Sequence, residues 1–173
     1  MRITKNTSQR DILELAPACS CKECQHGCRM GSGVLAKGDL QTLAAFLKLT
    51  QEETKEKFLE ETEQFNQTLL RPKLLRKGKP YGQCTFFDEE RGCTVHEAKP
   101  LQCKVAMGCK PYGDELMQWF MLNHVINLKD AESVRQYANY LKSGGKTIRG
   151  GQLSELIGNK EQLKKTLNYS TLK

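Results

Sequence analysis

The sequence predicts a mainly α-helical single domain with a small β-hairpin, built irregularly around its cysteines. Its 173 residues suit one domain with a hydrophobic core of its own. Apolar residues recur at helical spacing behind candidate N-caps in several stretches, whereas one stretch has the pattern of a tight hairpin. The eight cysteines are concentrated in two loop-rich stretches, so we expect the domain to form around them.

Composition divides the chain into three parts. A polar lead-in covers residues 1–18, a cysteine-cluster domain covers residues 19–143, and a basic, partly helical C-terminal extension covers residues 144–173. The net charge is +7, and residues 129–173 hold nine basic and four acidic groups of the total.

Apolar runs in this sequence are all too short for a signal peptide or a membrane span. We therefore expect a cytoplasmic protein with no membrane partner. Clustered cysteines in a reducing compartment are more often metal ligands than disulfides. Disulfides in an exported protein are the alternative.

Two helices are expected between the cysteine groups. Asp39 is the predicted N-cap of the first helix, whose apolar residues follow the helical repeat. Thr50 and Glu53 form the capping-box pattern that starts the second helix. The helical spacing then continues along one face, through Phe58, Thr62, Phe65 and Leu69.

The later part of the chain is predicted as a hairpin followed by helices. Residues 83–87 and 92–95 form the two strands, and residues 88–91 form the turn between them. Pro100 opens a short helix that carries Cys103. Two further helices begin at candidate N-caps, and the leucines of the extension indicate a last helix. The two N-caps are Asp114 and Asp130.

Four cysteines lie within ten residues, in the order Cys19-x-Cys21-x-x-Cys24-x-x-x-Cys28. The spacing of Cys21 and Cys24 lets one tight turn direct two sulfurs at one ion. Cys24 and Cys28 share a face if a helical turn begins there. Four thiols this close together are difficult to bury as small apolar side chains, and they indicate a metal site.

Four more cysteines follow after a long interval, at Cys84, Cys93, Cys103 and Cys109. Their spacing is not that of a zinc finger, but they are a natural source of completing ligands. The eight cysteines allow two complete four-thiolate sites, or one composite site that leaves some of them unbound. For Cys109, which ends an irregular spacing, an ordinary thiol is the alternative.

The predicted partner is a metal, either zinc or an iron–sulfur cluster. Thiolate-rich sites suit both, and neither cysteine group matches the spacings of ferredoxins. His26 lies inside the first group, and His96 lies three residues after Cys93. Either histidine could be a metal ligand, could hydrogen-bond to a ligand, or could be an ordinary surface side chain.

These residues resemble the YkgJ-like cysteine-cluster family, a group of zinc- or iron-chelating proteins whose front motif is C-x-x-C-x-x-C-C. The later block of that family is matched by Cys84-Thr85-Phe86-Phe87, Gly92-Cys93-Thr94-Val95-His96 and Lys99-Pro100-Leu101-Gln102-Cys103-Lys104. The resemblance covers about residues 19–110. It implies a metal or iron–sulfur site in a cytoplasmic protein.

The front motif departs from the family pattern at one position. Cys21, Cys24 and Cys28 match three of its cysteines, whereas Gly27 stands at the first position of the Cys-Cys pair. Cys19 is an additional thiol that could replace the missing ligand.

The leading hypothesis is a metal-binding protein with a structural, redox or metal-handling role. The alternative is an iron–sulfur redox protein or part of a modifying enzyme, because a flagellin lysine methylase is similar in this region. The sequence has no G-x-G-x-G loop after a strand and no H-E-x-x-H motif, so a catalytic function is not the expected one.

A nucleic-acid-binding module is a weaker alternative. The connector at residues 71–80 is basic, with Arg71, Lys73, Arg76, Lys77 and Lys79. Such runs are commonly solvated surface, and no aromatic platform for bases accompanies this one. No feature of the sequence identifies a protein partner.

Overall fold

The computed structural model describes residues 2–168, and helices dominate it, which confirms the predicted fold class. The α-helices are α1 (Gln9–Leu15), α2 (Lys22–Met30), α3 (Asp39–Leu47), α4 (Gln51–Phe58), α5 (Leu101–Val105), α6 (Gly113–Phe120), α7 (Ala131–Lys142), α8 (Leu153–Leu156) and α9 (Lys160–Leu167). The strands are β1 (Leu59–Gln64), β2 (Gln67–Pro72), β3 (Leu74–Leu75), β4 (Gln83–Cys84), β5 (Phe87–Asp88) and β6 (Gly92–Cys93). A 3₁₀ turn (His96–Ala98) precedes α5, and a π-helical segment (Met121–Val125) continues α6.

The larger apolar core lies where the N-terminal segment meets α5, α6 and α7. Ile12 of α1, Val105 of α5, Phe120 of α6 and Tyr137 of α7 are fully buried in it. The segment predicted as a polar lead-in, residues 2–18 of the described chain, therefore supplies part of this core. Its polar residues are the exposed side of a short amphipathic helix.

A smaller apolar core lies among α3, β1 and the short strands. Its buried members are Leu43, Leu59, Cys84, Phe86, Phe87 and Val95. The Phe58 ring packs on that of Phe86, with ring centroids 5.2 Å apart. Cys28 and Cys93 are partly buried against the same core, so some of the cysteines belong to the packing of the domain.

Strands β1 and β2 form a hairpin where the sequence predicted a helix continuing to Leu69, and that prediction is wrong. Helix α4 ends before β1, and the two strands pair along their whole length. Phe65 and Asn66 form the two-residue turn with positive φ angles of 47° and 58°, the conformation that joins antiparallel strands. The apolar residues of this stretch fit a period of two as well as a helical period, and the turn decides between them.

The hairpin that the sequence predicted is confirmed around residues 88–91, but its strands are shorter than expected. Phe87 pairs with Cys93 in the β5–β6 ladder. The Asp88 carboxylate accepts hydrogen bonds from two backbone N–H groups of the turn, at 2.8 and 2.9 Å. Strand β4, predicted as part of the same hairpin, pairs instead with β3.

Two of the four predicted N-caps are confirmed and two are wrong. Thr50 and Asp130 cap α4 and α7 through their side chains. Asp114 lies inside the first turn of α6 rather than at its N-cap. Asp39 follows the true N-cap, Gly38, and its carboxylate accepts hydrogen bonds from Ala36 N at 2.7 Å and Leu101 N at 2.9 Å. Asp39 therefore joins the start of α3 to the start of α5.

The C-terminal part is helical, as predicted, but as two short helices, α8 and α9, instead of one. Helix α7 ends before Gly144, whose φ of 89° requires a glycine. Helix α9 lies against α7, and Thr4 pairs with Arg149 in an isolated bridge. Residues 169–173 of the predicted extension lie outside the described residues. Among residues 2–168, no helix combines the length and apolar character that crossing a membrane requires.

Glu60 joins the hairpin to the basic connector through two arginines. Its carboxylate accepts hydrogen bonds from Arg76 Nη1 and Arg71 Nε, at 2.8 and 2.9 Å. The Arg76 hydrogen bond is the main reason why the pKa of Glu60 falls to about 2. The ionised form is thus strongly favoured in the folded state.

We expect Glu60→Gln to lower the free energy of unfolding by about 1–3 kcal/mol near neutral pH, because two guanidinium groups lose their anionic acceptor. The pKa of Glu60 is depressed in the folded state, so this contribution is complete above the ordinary glutamate pKa of 4.5 and disappears as the pH falls towards 2. Urea unfolding of both proteins at several pH values measures the difference. The control is Glu61→Gln, an exposed position on the same strand; a difference that does not change with pH would contradict the assignment.

Candidate metal centre

Helix α2 positions cysteines for two different groups. Cys21 is its N-cap residue, and Cys24 and Cys28 follow within the helix. A separation of four residues places the last two on one face, about 6 Å apart along the axis. Cys24 therefore belongs to one group of thiols, and Cys28, one turn further along the helix, belongs to another.

The first group, the four-thiol group, consists of Cys19, Cys21, Cys24 and Cys109. Their sulfurs all lie within 4.8 Å of one another. The Cys109 sulfur is 3.5 Å from that of Cys24 and 3.8 Å from that of Cys19. Three ligands come from the start of α2 and the segment before it, and the fourth comes from the loop between α5 and α6.

Close backbone packing brings Cys109 to α2. A Cβ atom at Gly108 would lie 2.9 Å from the carbonyl oxygen of Glu23, so only glycine allows this approach without a shift. Met107, on the other side, is buried in the larger core. Tyr112, just after the loop, donates a hydrogen bond from its hydroxyl to the Leu15 carbonyl at 3.1 Å. The loop is thereby tied both to α2 and to the end of α1.

The electrostatics of the four-thiol group favour a first thiolate at Cys19. The backbone N–H of Cys21, helped by the neighbouring thiols, lowers the pKa of Cys19 to about 7. The Cys24 N–H lowers the pKa of Cys21, but Glu23 and the neighbouring thiols outweigh it and raise that pKa to about 12. The positive end of the α2 dipole faces the same thiols. The group therefore presents one readily ionised sulfur and three partners for a cation.

The second group consists of Cys28, Cys84, Cys93 and Cys103, which we call the cavity cysteines because they line one cavity of about 380 Å³. They come from α2, β4, β6 and α5. Cys19 and Cys24 of the four-thiol group reach the same cavity wall. The two groups are thus neighbours, separated by about one turn of α2.

Burial dominates the chemistry of the cavity cysteines. It raises the pKa of Cys84 and of Cys103 to about 12. Burial also raises the pKa values of Cys28 and Cys93, whereas the Lys99 ammonium acts in the opposite direction on both. The charges of the other three cavity cysteines influence Cys103, which places all four within electrostatic range. A cation is needed to keep them ionised together.

All eight predicted cysteines take part in one group or the other, and all eight are free thiols. Their order along the chain does not give the grouping. Cys28, the last of the front four, joins the later cysteines, and Cys109, the last of the rear four, joins the front ones. Both groups therefore contain cysteines from both parts of the chain.

The two histidines lie in different surroundings. His96 is half-buried in the wall of the cavity, and burial lowers its pKa. His26 is exposed on α2. The structure thus places His96 beside the cavity cysteines and leaves His26 on the surface.

Three more residues shape the site, and two of them, Gly108 and Lys99, were given no role from the sequence. Gly108 allows the approach of Cys109, and Lys99 supplies positive charge to the cavity cysteines. A Cβ atom at Gly33 would lie 2.7 Å from the Cys103 sulfur, so this glycine makes room for a ligand. The Gly-Cys dipeptide at residues 108–109 is the sequence feature that could have indicated the role of Gly108.

Much of the basic connector is engaged within the protein. Arg71 and Arg76 bind Glu60, and the Lys73 ammonium donates to the Glu56 carbonyl at 2.6 Å. These contacts reduce the charge that the connector presents to solvent. Nucleic-acid binding stays a prediction.

Comparison with known proteins gives one match. A family model described as "CxxCxxCC: Putative zinc- or iron-chelating domain" matches residues 20–133, about two thirds of the chain. The matched range contains seven of the eight cysteines and begins just after Cys19. No curated protein and no solved structure matches the chain.

We expect Gly108→Ala to weaken metal binding at the four-thiol group by about tenfold or more, because the new methyl group must push the Cys109 loop away from α2. Cobalt(II), whose visible bands report tetrahedral thiolate coordination, serves as the titrant. Gly27→Ala is the control, since a Cβ atom there meets nothing within 4 Å. Equal affinities of the two variants would show that the close approach at Gly108 is not needed.

Proposed function

The chain belongs to the CxxCxxCC family of zinc- or iron-chelating domains, and on this basis we propose that its eight cysteines bind metal in two separate groups. The four-thiol group binds a single ion, and zinc is the ion that it fits best. The role of this ion is to fasten three segments of the domain together: the residues before α2, the start of α2 and the loop after α5.

Sulfur spacing is the observation that carries this proposal. Four thiolates at the usual zinc–sulfur distance of about 2.3 Å, arranged as a tetrahedron, lie about 3.8 Å from one another. The two Cys109 sulfur contacts, 3.5 and 3.8 Å, agree with that value, and all four sulfurs lie within 4.8 Å of one another. This spacing supports a shared site for one ion.

Zinc is favoured over a single iron by its chemistry. A thiolate site of given geometry binds zinc more tightly than ferrous iron, since affinity rises along the first-row divalent series. Zinc also has no redox change that would alter its affinity. Tetrahedral coordination by four protein ligands is typical of structural zinc sites, whereas catalytic ones keep a position for water.

A structural ion also fits the position of the four-thiol group in the fold. Cys19 and Cys24 pack against the larger core, although no buried side chain of that core comes from α2. Apolar burial alone thus holds α2 weakly. An ion bound by Cys21, Cys24 and Cys109 links this helix to the rest, and its binding energy adds to the stability of the fold.

We expect the reduced protein to bind one zinc ion tightly at the four-thiol group, and the ion to raise the midpoint of thermal unfolding. Cys109→Ser should lower the affinity of this ion by at least about 100-fold, since a neutral hydroxyl replaces one of four thiolates. Competition with a chromophoric chelator, together with elemental analysis, measures the affinity and the stoichiometry.

Cys93→Ser is the matched control, because Cys93 is half-buried and belongs to the cavity cysteines. This variant should keep the tight zinc ion and its thermal stabilisation. The proposal is wrong if Cys109→Ser retains that ion, or if Cys93→Ser loses it.

A further inference from the structure

A cleft of about 370 Å³ lies beside α6, and none of the eight cysteines lines it. Helix α6 and the π-helical segment that continues it supply one wall, because Asp114, Gln118 and Met121 recur every three or four residues along one face. Such π-helical segments are frequent at functional sites. Most of the rest comes from α5, α7 and the turn between β1 and β2. We call it the glutamine cleft, because it is lined by Gln64, Gln102 and Gln118.

The side-chain amide of Gln118 is the observation that points to a ligand. Gln118 is 8% exposed, and its amide makes no hydrogen bond within the described part of the chain. No fully enclosed polar side-chain atom of the described residues lacks a partner, so the amide opens into the cleft that Gln118 lines. An amide removed from bulk water without a partner costs free energy. A ligand in the cleft would supply the missing hydrogen bonds.

The other two glutamines bring further donors and acceptors to the cleft. The Oε1 atom of Gln102 accepts a hydrogen bond from Val34 N at 2.5 Å, which fixes this amide and leaves its NH₂ group without a partner among residues 2–168. Gln64 makes no side-chain hydrogen bond in the same range. An amide carries donors and an acceptor side by side, and the group that matches this arrangement best is another amide.

The remaining walls favour a ligand with an apolar part and no net charge. The apolar lining includes Phe65, Met117 and Met121, and methionine side chains adapt readily to apolar shapes. The charged residues of the lining, Asp114 and Lys146, form an ion pair with each other at 3.4 Å. Their charges cancel, and because their side chains are 79% and 77% exposed, water screens them strongly.

We propose that the glutamine cleft binds a small neutral molecule that carries an amide beside an apolar group, as a capped amino acid does. The amide bonds to Gln118 and Gln102, and the apolar group packs against Met117 and Met121. The volume of the cleft lies in the range of small-molecule sites. Gln64, Gln102 and Met117 also line the cavity of the cavity cysteines, so the ligand lies next to that cavity. The proposal does not rest on the proposed metal binding.

The test is a titration of the reduced full chain, loaded with zinc and ¹³C-labelled at its methionine methyl groups, with N-acetyl-L-leucinamide. We expect saturable shifts of the Met117 and Met121 signals, with a dissociation constant of about 1 mM or lower. Met30 and Met107, which line only the other cavity, should not shift. N-acetyl-L-leucine methyl ester lacks the terminal NH₂ donor and should bind at least about fivefold more weakly.

Gln118→Leu separates a binding role from a structural one. Because leucine replaces a largely buried amide that has no partner, the variant should raise the midpoint of thermal unfolding of the unliganded chain. It should weaken binding of N-acetyl-L-leucinamide by about tenfold and leave zinc affinity unchanged. Gln41→Leu, at an exposed glutamine of α3, is the matched control and should bind the probe as the unmodified chain does.

Three results would overturn the proposal without affecting the proposed function. These are no saturable shift of the Met121 signal, shifts of Met30 and Met107 in place of Met121, and equal probe affinity of folded Gln118→Leu and the unmodified chain. If Gln118→Leu does not fold, Gln64→Leu at a partly exposed position repeats the comparison, and unchanged affinity there would overturn the proposal as well.

Discussion

The spacing of two cysteines along one helix is the constraint on which the site depends. Cys24 and Cys28 lie on the same face of α2, one turn apart, and in this fold Cys24 joins the four-thiol group whereas Cys28 lies among the cavity cysteines. The chain supplies partners at both places. Cys109 reaches the N-terminal place through the Gly108 loop, and the two short ladders and α5 surround the other.

The two groups relate differently to the apolar cores. The four-thiol group lies at the edge of the larger core, which includes buried residues from α1, α5, α6 and α7. The cavity cysteines lie in and beside the smaller core, which has six buried members, one of them Cys84. So few buried side chains supply limited hydrophobic stabilisation, and small cores are commonly supplemented by metals. On the proposed assignment, a metal bound by the cavity cysteines would contribute more to the smaller core than the four-thiol ion contributes to the larger one.

The sequence predicted much of this arrangement where the signal was local. The Thr50 capping box, the Asp130 cap and the turn around residues 88–91 each depend on side chains that bond to the backbone nearby. Asp39 was misassigned because its carboxylate reaches the distant Leu101 N–H. The hairpin at Phe65 was missed because its residues also fit a helix. Hydrogen bonds between a side chain and the backbone a few residues away could be predicted from the sequence. Contacts with residues distant in sequence could not.

The grouping of the cysteines shows the same limit in the site itself. All eight were identified from their clustering, but proximity in sequence pairs Cys28 with Cys24 and leaves Cys109 at the end of an irregular series. Tertiary packing decides both cases: α2 packs against β4 and β6 near Cys28, and the packing at Gly108 and Met107 brings Cys109 to Cys24, 85 residues away in sequence. No pattern of spacings encodes either effect.

The family description names zinc or iron as alternatives, and the cysteines of this chain form two groups of different geometry. One group has the sulfur spacing of a single tetrahedral ion and a readily ionised thiol at Cys19. The other has buried thiols held apart around a shielded space, with Lys99 beside them. Because only about one turn of α2 separates the groups, an ion that fixes this helix at Cys24 also fixes the position of Cys28. On the proposed assignment, the ion at the four-thiol group would then hold one wall of the neighbouring cavity in place.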